Sequence, residues 1–395
     1  MRTKHLLLIL TLIIVGPNSQ AQDFKLSEYA TFSVLTCAPG TDLYASFGHS
    51  ALRVQDPLIQ LDIIYNYGIF DFYAPNFYSN FVKGKLTYTL GRQYYSDFLF
   101  EYEMENRGVK EQLLRLDKKS RDRLFNFLEK NYRPENRDYA YDFFYNNCAT
   151  KLRDLIENQA LIPAVETETS SIGDKTFRHL IAENLPANGW AMFGINLALG
   201  SSIDQYASKR AYQFLPKYLS ESLEKTSIRG LPIVEKERMA FEASPQNSSP
   251  DTLYQTPAFA SIMILLIAII ISVLELFSGR KLLVFDSLLF TASALGGLLL
   301  LFLWFLTDHQ ATMYNYNLLW CSPLAIAVLW LKLRPRNKGI SKTSFIGCVL
   351  FLSALLLTPL IHFTGIQELD ALFFPIIVAL WIRSVPLALE RKLSK

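Results

Sequence analysis

Histidine and cysteine are scarce in this chain, with 5 and 4 residues among 395. No CxxC or HxxxH spacing joins them, which argues against a zinc site, and 4 cysteines are too few for a disulfide framework. Charge is also thin. Only 19% of residues are charged and the net charge is +3, so the broad basic surface that nucleic acid requires is missing. Lysine and arginine are absent from two stretches, 307–317 and 364–370. Nothing in the composition calls for a cofactor or a metal.

Apolar residues are plentiful. They make up 50% of the chain, and the excess is concentrated toward the C-terminus. Five stretches there approach the length of a membrane span, at roughly 258–277, 283–306, 318–333, 343–363 and 371–388. The basic residues between them alternate. Arg280 and Lys281 follow the first stretch, and Lys332, Arg334, Arg336, Lys338 and Lys342 cluster at the end of the third. Arg391, Lys392 and Lys395 follow the fifth. Basic loops stay in the cytoplasm, so the first span runs inward and all that precedes it lies outside. The N-terminus agrees. Arg2 and Lys4 precede an apolar run from Leu6 to Val15, and Ser19-Gln20-Ala21 supplies small residues for cleavage. Residues 1–21 are therefore predicted to be a signal peptide, with an uncleaved anchor as the plainer alternative. The chain divides into an exported domain at 22–241, a linker rich in proline and serine at 242–257, and a transmembrane domain at 258–395. A multi-pass protein of the bacterial inner membrane, with its N-terminal domain in the periplasm, is the expected placement.

The exported part reads as one α+β domain. Thr31 to Leu35, Ser50 to Val54, Ile59 to Tyr67 and Leu86 to Gly91 have strand composition. Asp117 is a good N-cap for a helix carrying Leu124, Phe125 and Leu128, which Pro134 ends. A second helix follows Asn147 and continues toward Pro163. Its Cys148, Leu152, Leu155 and Ile156 share one face, so the thiol points into the domain. Residues 174–225 look largely helical.

The position of Cys148 matters for chemistry. A cysteine attacks as thiolate, and a helix N-terminus, with Asn147 or Asn146 as cap, lowers its pKa. The same free N–H groups can hold an oxyanion. Cys321 and Cys348 lie in apolar stretches and read as small hydrophobic residues. A Cys37–Cys148 bridge is the plain structural alternative, although a domain of this size needs no staple. Among the histidines, His5 leaves with the signal peptide, and His309 and His362 lie at membrane boundaries. His179 occupies an ordinary helix position. His49, on a strand after Gly48, is the candidate base. A core histidine is the bland reading of His49 alone; a helix-capping cysteine in the same domain favours catalysis. A third group orients an imidazole in such sites, and Asn66 is preferred, with Asp71 in reserve. Turn chemistry explains both equally well.

The order of histidine, polar strand residue and helix-borne cysteine resembles a circularly permuted papain-like domain of the NlpC/P60 and LRAT-like type. More closely, three runs resemble the Lnb-type lipoprotein N-acyltransferase family. They are Tyr44-Ala45-Ser46-Phe47-Gly48-His49-Ser50-Ala51-Leu52-Arg53, Tyr65-Asn66-Tyr67-Gly68-Ile69-Phe70-Asp71-Phe72 and Tyr145-Asn146-Asn147-Cys148-Ala149-Thr150. The resemblance covers nearly the whole mature chain. It implies a papain-like α+β domain before an all-α bundle of about five transmembrane helices. The implied reaction moves an acyl chain from a phospholipid, through a Cys148 thioester activated by His49, to the α-amino group of a diacylated lipoprotein's N-terminal cysteine. The outward stretch 307–317 adds polar residues on the same side. Asp308, His309, Asn315 and Asn317, together with Asn147, are candidates for contact with membrane lipid or substrate, or else form a polar interfacial loop. Two rival readings stand beside it, of which only the first uses the same pair of residues. One is a membrane-anchored thiol peptidase or amidase acting on cell-wall peptides, and the other is a non-catalytic membrane receptor module.

Overall fold

The computed structural model describes residues 25–71, 73–159, 172–228, 230–245, 252–334 and 341–390. The expected signal peptide, Pro163 and the middle of the linker lie outside these residues. Seven antiparallel strands form the main sheet of a mixed α/β N-terminal domain. They are β1 (Thr31–Cys37), β2 (His49–Asp56), β3 (Leu61–Ile69), β4 (Thr87–Tyr94), β5 (Val109–Leu114), β6 (Asp138–Ala140) and β11 (Val234–Phe241), in the order β11-β5-β1-β2-β3-β4-β6. Two short ladders stand apart: β7 (Ile172–Thr176) with β8 (Tyr206–Ser208), and β9 (Ser227–Ile228) with β10 (Leu231–Pro232). The strands expected from composition are all present: β1 and β2 run slightly longer than expected, β3 is shifted two residues onward, and β4 starts one residue later and runs three further. β5 and β11 were not expected. β11 lies at the sheet edge and is largely exposed, with four consecutive charged residues from Glu235 to Arg238, which is how an edge strand resists pairing with another chain.

Helices surround this sheet. They are α1 (Phe77–Lys83), α2 (Tyr95–Met104), α3 (Lys118–Tyr132), α4 (Cys148–Gln159), α5 (Phe177–Ala182), α6 (Trp190–Ala198), α7 (Lys209–Tyr212) and α8 (Pro216–Lys225). α3 starts as its sequence predicts, since the Asp117 carboxylate accepts the Ser120 N–H at 2.8 Å. Leu124, Phe125 and Leu128 then pack with Leu152, Leu155 and Ile156 of α4 in one core against the sheet. This packing sets α4, and so Cys148, against β2 and β3. Arg53 on β2 ties the middle of the sheet together. It forms a two-pronged pair with Asp62 on β3 at 2.6 and 2.7 Å and reaches Glu111 on β5 at 2.9 Å.

The C-terminal region is helical, with α9 (Pro257–Ser278), α10 (Leu283–Phe305), α11 (Ala325–Leu333), α12 (Lys342–Phe363) and α13 (Phe373–Glu390). Among the described residues, α9, α10 and α12 are long and apolar enough to cross a membrane. The third expected span departs from a simple helix. α11 has only 9 residues, about 13 Å at 1.5 Å per residue, too short to cross alone. Its upstream half is an irregular segment buried against α10. There, the Ser293 hydroxyl donates to the Trp320 carbonyl at 2.8 Å, and the Trp320 indole donates to Asn317 Oδ1 at 2.9 Å. Gly296 and Gly297 make room for it, because a Cβ at Gly297 would come within 2.4 Å of the Cys321 carbonyl. Non-helical backbone at membrane depth is tolerated where protein buries it.

Three segments at one end of this bundle meet the N-terminal domain. At the start of α9, the Trp190 indole donates to the Gln255 carbonyl at 2.6 Å. From the loop after α10, Ala311 and Tyr314 carbonyls accept the N–H groups of Gly200 and Ser201 at 2.9 and 3.1 Å. From the loop after α12, Asp370 accepts from the Asn196 amide at 2.8 Å, and Gln367 bridges Tyr316 and Leu199. The two loops lacking lysine and arginine therefore face the N-terminal domain.

Four charged residues cluster toward the other end. Asp286 accepts from Lys332 at 2.6 Å and from Arg383 at 2.7 and 2.8 Å, and Arg383 also reaches Glu275 at 2.8 Å. This network joins α9, α10, α11 and α13, and the sequence reading did not foresee it.

Candidate active site

His49 opens β2 and Cys148 opens α4. Gly48, at φ +75°, lets the chain pass beneath the Cys37 carbonyl before His49, where a Cβ would approach to 2.7 Å. Asn147 caps α4 by accepting the Thr150 N–H at 2.9 Å, while its amide donates to the Phe143 and Phe214 carbonyls at 2.9 and 2.7 Å. Those bonds lock the turn that presents the thiol. The expected cap is Asn147 rather than Asn146, whose amide donates to the Ala140 carbonyl.

The two side chains meet. His49 Nε2 lies 2.6 Å from Asn66 Oδ1 on β3, and the imidazole also hydrogen-bonds the Cys148 sulfur. With Nε2 committed to Asn66, Nδ1 is left for the sulfur. Gly68, at φ +99°, stands at the junction. A Cβ there would lie 3.6 Å from the Cys148 Cβ and 3.7 Å from His49 Cε1. The ladder between β3 and β4 is irregular between Asn66 and Ile69, which places the glycine beside the pair.

Electrostatics favour an ion pair. Burial pushes the Cys148 thiol up, but the His49 charge, the His49 hydrogen bond and the backbone N–H groups of Ser50 and Ala149 together bring it below an ordinary thiol. Burial likewise lowers His49, and the sulfur's charge and its hydrogen bonds to Cys148 and Asn66 more than restore it, so the imidazole ends above its usual value. Both residues are half-buried. Cys37, opposite His49 in the β1–β2 register, is a free thiol buried in the sheet, and burial pushes it up to about 12. All four cysteines are free. A lowered thiol retains thiolate as pH falls, while a raised imidazole retains its proton as pH rises. Alkylation of Cys148 by iodoacetamide is therefore expected to reach half its plateau below pH 9.0, the ordinary thiol value. In His49→Ala the midpoint should move up. An identical pH profile in the two proteins would show that no ion pair forms.

The remaining candidates take other positions. Asp71 is exposed and accepts the Tyr73 N–H at 2.8 Å, a local turn bond. His179 is exposed and pairs with Glu368 at 3.1 Å. His362 Nδ1 accepts the Leu369 N–H at 3.2 Å. Asn315 and Asn317 are buried, and their amides donate to the carbonyls of Leu197 and Ala198, and of Asn196 and Leu197, at 2.8–3.1 Å. They fasten the outward loop to the end of α6. Asp308 and His309 meet α1 instead. The Asp308 N–H donates to the Lys83 carbonyl and His309 Nε2 contacts the Phe81 carbonyl, each at 2.9 Å. The sequence reading also missed a ring of phenols near the sulfur. Tyr88, Tyr139 and Tyr141 are raised first by burial and then by the Cys148 charge, Tyr88 to about 12. Tyrosines at 139 and 141, a few residues before the capping asparagine, were the available sign.

Residues 19–183 match the family model described as Lnb N-terminal periplasmic domain, and residues 248–393 match that described as Lnb transmembrane domain. No curated protein and no solved structure matches the chain.

Proposed function

Because this chain belongs to the Lnb-type family, with the periplasmic and transmembrane domains in that order, we propose that it is a lipoprotein N-acyltransferase of the bacterial inner membrane. The observation that carries the reading is the His49 imidazole held between Cys148 and Asn66 in a domain fastened to membrane helices. The domain is read as a permuted papain-like fold, and the helical region as five membrane passages, one of them broken at residues 317–324. The signal peptide is removed on export.

The reaction is ping-pong. The Cys148 thiolate attacks the acyl carbonyl carbon of a phospholipid ester. Backbone N–H groups at the start of α4 hold the oxyanion. The C–O bond breaks, His49 gives its proton to the departing alkoxide, and lysophospholipid leaves. The free amine of a diacylated lipoprotein's N-terminal cysteine then attacks the thioester carbonyl. The C–S bond breaks, His49 takes the proton from nitrogen, and the thiolate returns. Asn66 fixes the imidazole's orientation. Asp308 and His309 serve at the lipid-facing edge, while Asn315 and Asn317 keep the loop seated and Asn147 shapes the turn before the nucleophile.

The test is to expose the full chain in vesicles to phospholipid with a labelled acyl chain and quench in acid. A label on the Cys148 peptide that neutral hydroxylamine removes is expected, and a diacylated lipopeptide should then discharge it as an amide. Label that never reaches Cys148 would sink the proposal. Discharge only to free fatty acid would make the protein a lipid hydrolase, and cleavage of a cell-wall peptide without any acyl intermediate would favour the amidase.

A further inference from the structure

α1 is an anomaly for a helix in water. None of its residues is buried, yet Tyr78 and Phe81 are 71% and 52% exposed and Val82 is 42% exposed. An exposed apolar cluster of this kind marks a surface that something covers. Its C-terminal end is clamped to the outward loop of the membrane domain. Gly84, at φ +74°, allows the clamp, since a Cβ there would meet the His309 nitrogen at 2.9 Å. That loop begins just past Phe305, the last residue of α10, where Trp304 and Phe305 stack as interfacial aromatics do. α1 is thus held at the level where a membrane helix leaves the bilayer.

From this point aromatic rings step back to the catalytic pair. His309 lies 6.5 Å from Phe81, Phe81 6.5 Å from Phe77, Phe77 6.0 Å from Phe70, Phe70 5.0 Å from Tyr88, and Tyr88 3.9 Å from Tyr141. Tyr88 and Tyr141 stand close enough to feel the Cys148 charge, and Phe70 follows two residues after Gly68, where a Cβ would lie 3.6 Å from the Cys148 Cβ. Beside Phe70 and Phe77 opens a cavity of about 520 Å³, whose other walls include Lys85 and Arg137. The lining thus joins aromatic rings to the cations Lys85, Arg92 and Arg137, with Asp71 as its one carboxylate. Lys85 reaches Asp308 at 3.8 Å and Arg92 pairs with Glu129, so the cavity keeps a net positive lining suited to a phosphate joined to a hydrocarbon chain.

We propose that α1 and the ring series Phe81–Phe77–Phe70–Tyr88–Tyr141 form the track by which the acyl chain of a bilayer phospholipid reaches Cys148. Its phosphate is held on the side of Lys85 and Arg137. This rests on the transferase reading for its purpose, but its geometry is independent of the acceptor. The track explains why α1 stays uncovered within the chain, because the outer leaflet covers it.

Two measurements test it on the full chain in vesicles of phosphatidylethanolamine and phosphatidylglycerol. First, phosphatidylethanolamine with a diazirine in one acyl chain is photolysed with Cys148→Ala protein, which binds without turnover. Cross-links to the segment 73–88 are expected. Second, Cys148 acylation from bilayer phospholipid is compared with acylation by water-soluble p-nitrophenyl acetate. In Phe77→Asp and Phe81→Asp the ratio of the two rates should fall by roughly tenfold or more, since each ring offers burial energy of that order to a chain. Cross-links confined to α9–α13, or an unchanged ratio in both variants, would overturn the track. If photolysis labels 73–88 while wild-type Cys148 never takes an acyl group, the track stands and the transferase reading falls.

Discussion

Cys148→Ala is expected to leave lipoproteins without their third acyl chain. In vesicles the rate of N-acylation should fall by roughly a thousandfold or more, the loss seen when an activated nucleophile is removed. The thiol packs only at the margin of the core, and Leu152, Leu155 and Ile156 are the α4 residues buried within it. The variant should therefore melt as the wild type does. His49→Ala removes the base and the charge that lowers the thiol, so a loss of about 10²–10⁴ is expected. Asn66→Ala should cost less than His49→Ala, because the imidazole remains but is free to turn. Mass spectrometry of a lipoprotein substrate reads all three. Full N-acylation by Cys148→Ala would exclude covalent catalysis at this residue, and equal activity of wild type and Asn66→Ala would leave the 2.6 Å contact to His49 without a role.

How much of this was legible in the sequence follows from the range of the forces involved. Local forces were readable. Asp117 and Asn147 announced their helices because a cap bonds only three residues ahead, as Ser120 and Thr150 show. β2 and β3 were readable from β-branched and aromatic composition. The site was half readable. Scarcity narrows the histidine to His49 and the cysteine to Cys148, while the third group is only ranked, Asn66 ahead of Asp71 five positions on, because turn chemistry accounts for either. Their difference arises from tertiary structure: Asn66 faces the imidazole, and Asp71 closes a turn onto Tyr73. Partners distant in sequence were opaque. His309 meets Phe81 across 228 positions, so an outward polar loop read as lipid-facing turned out also to clamp α1. The third apolar stretch had a span's composition, but its contacts with Gly296 and Gly297 hold its first half irregular. β11 escaped notice because its charges suit an exposed edge and not the half-buried pattern that announces a strand.

The same long-range logic gives the largest expected effect on stability. Asp286 is fully buried and carries two cations, Lys332 and Arg383, from helices far along the chain. A carboxylate buried within membrane helices is costly by itself, and this one is acceptable only because both oxygens are filled. Asp286→Ala removes the anion and leaves Lys332 and Arg383 facing each other, with Glu275, ion-paired to Arg383, as the remaining counter-charge of the network. Breaking a buried pair in this way costs about 3–5 kcal/mol, a large share of a domain's stability. The detergent-solubilised variant should therefore melt well below the wild type. Replacing Asp286, Lys332 and Arg383 together by leucine, methionine and leucine removes the unpaired charges with the pair, so the triple variant should recover much of the loss. A melting temperature unchanged by Asp286→Ala would mean that the bundle does not depend on this network. A triple variant less stable than the single one would mean that the charges hold α10, α11 and α13 in a register that apolar packing cannot supply.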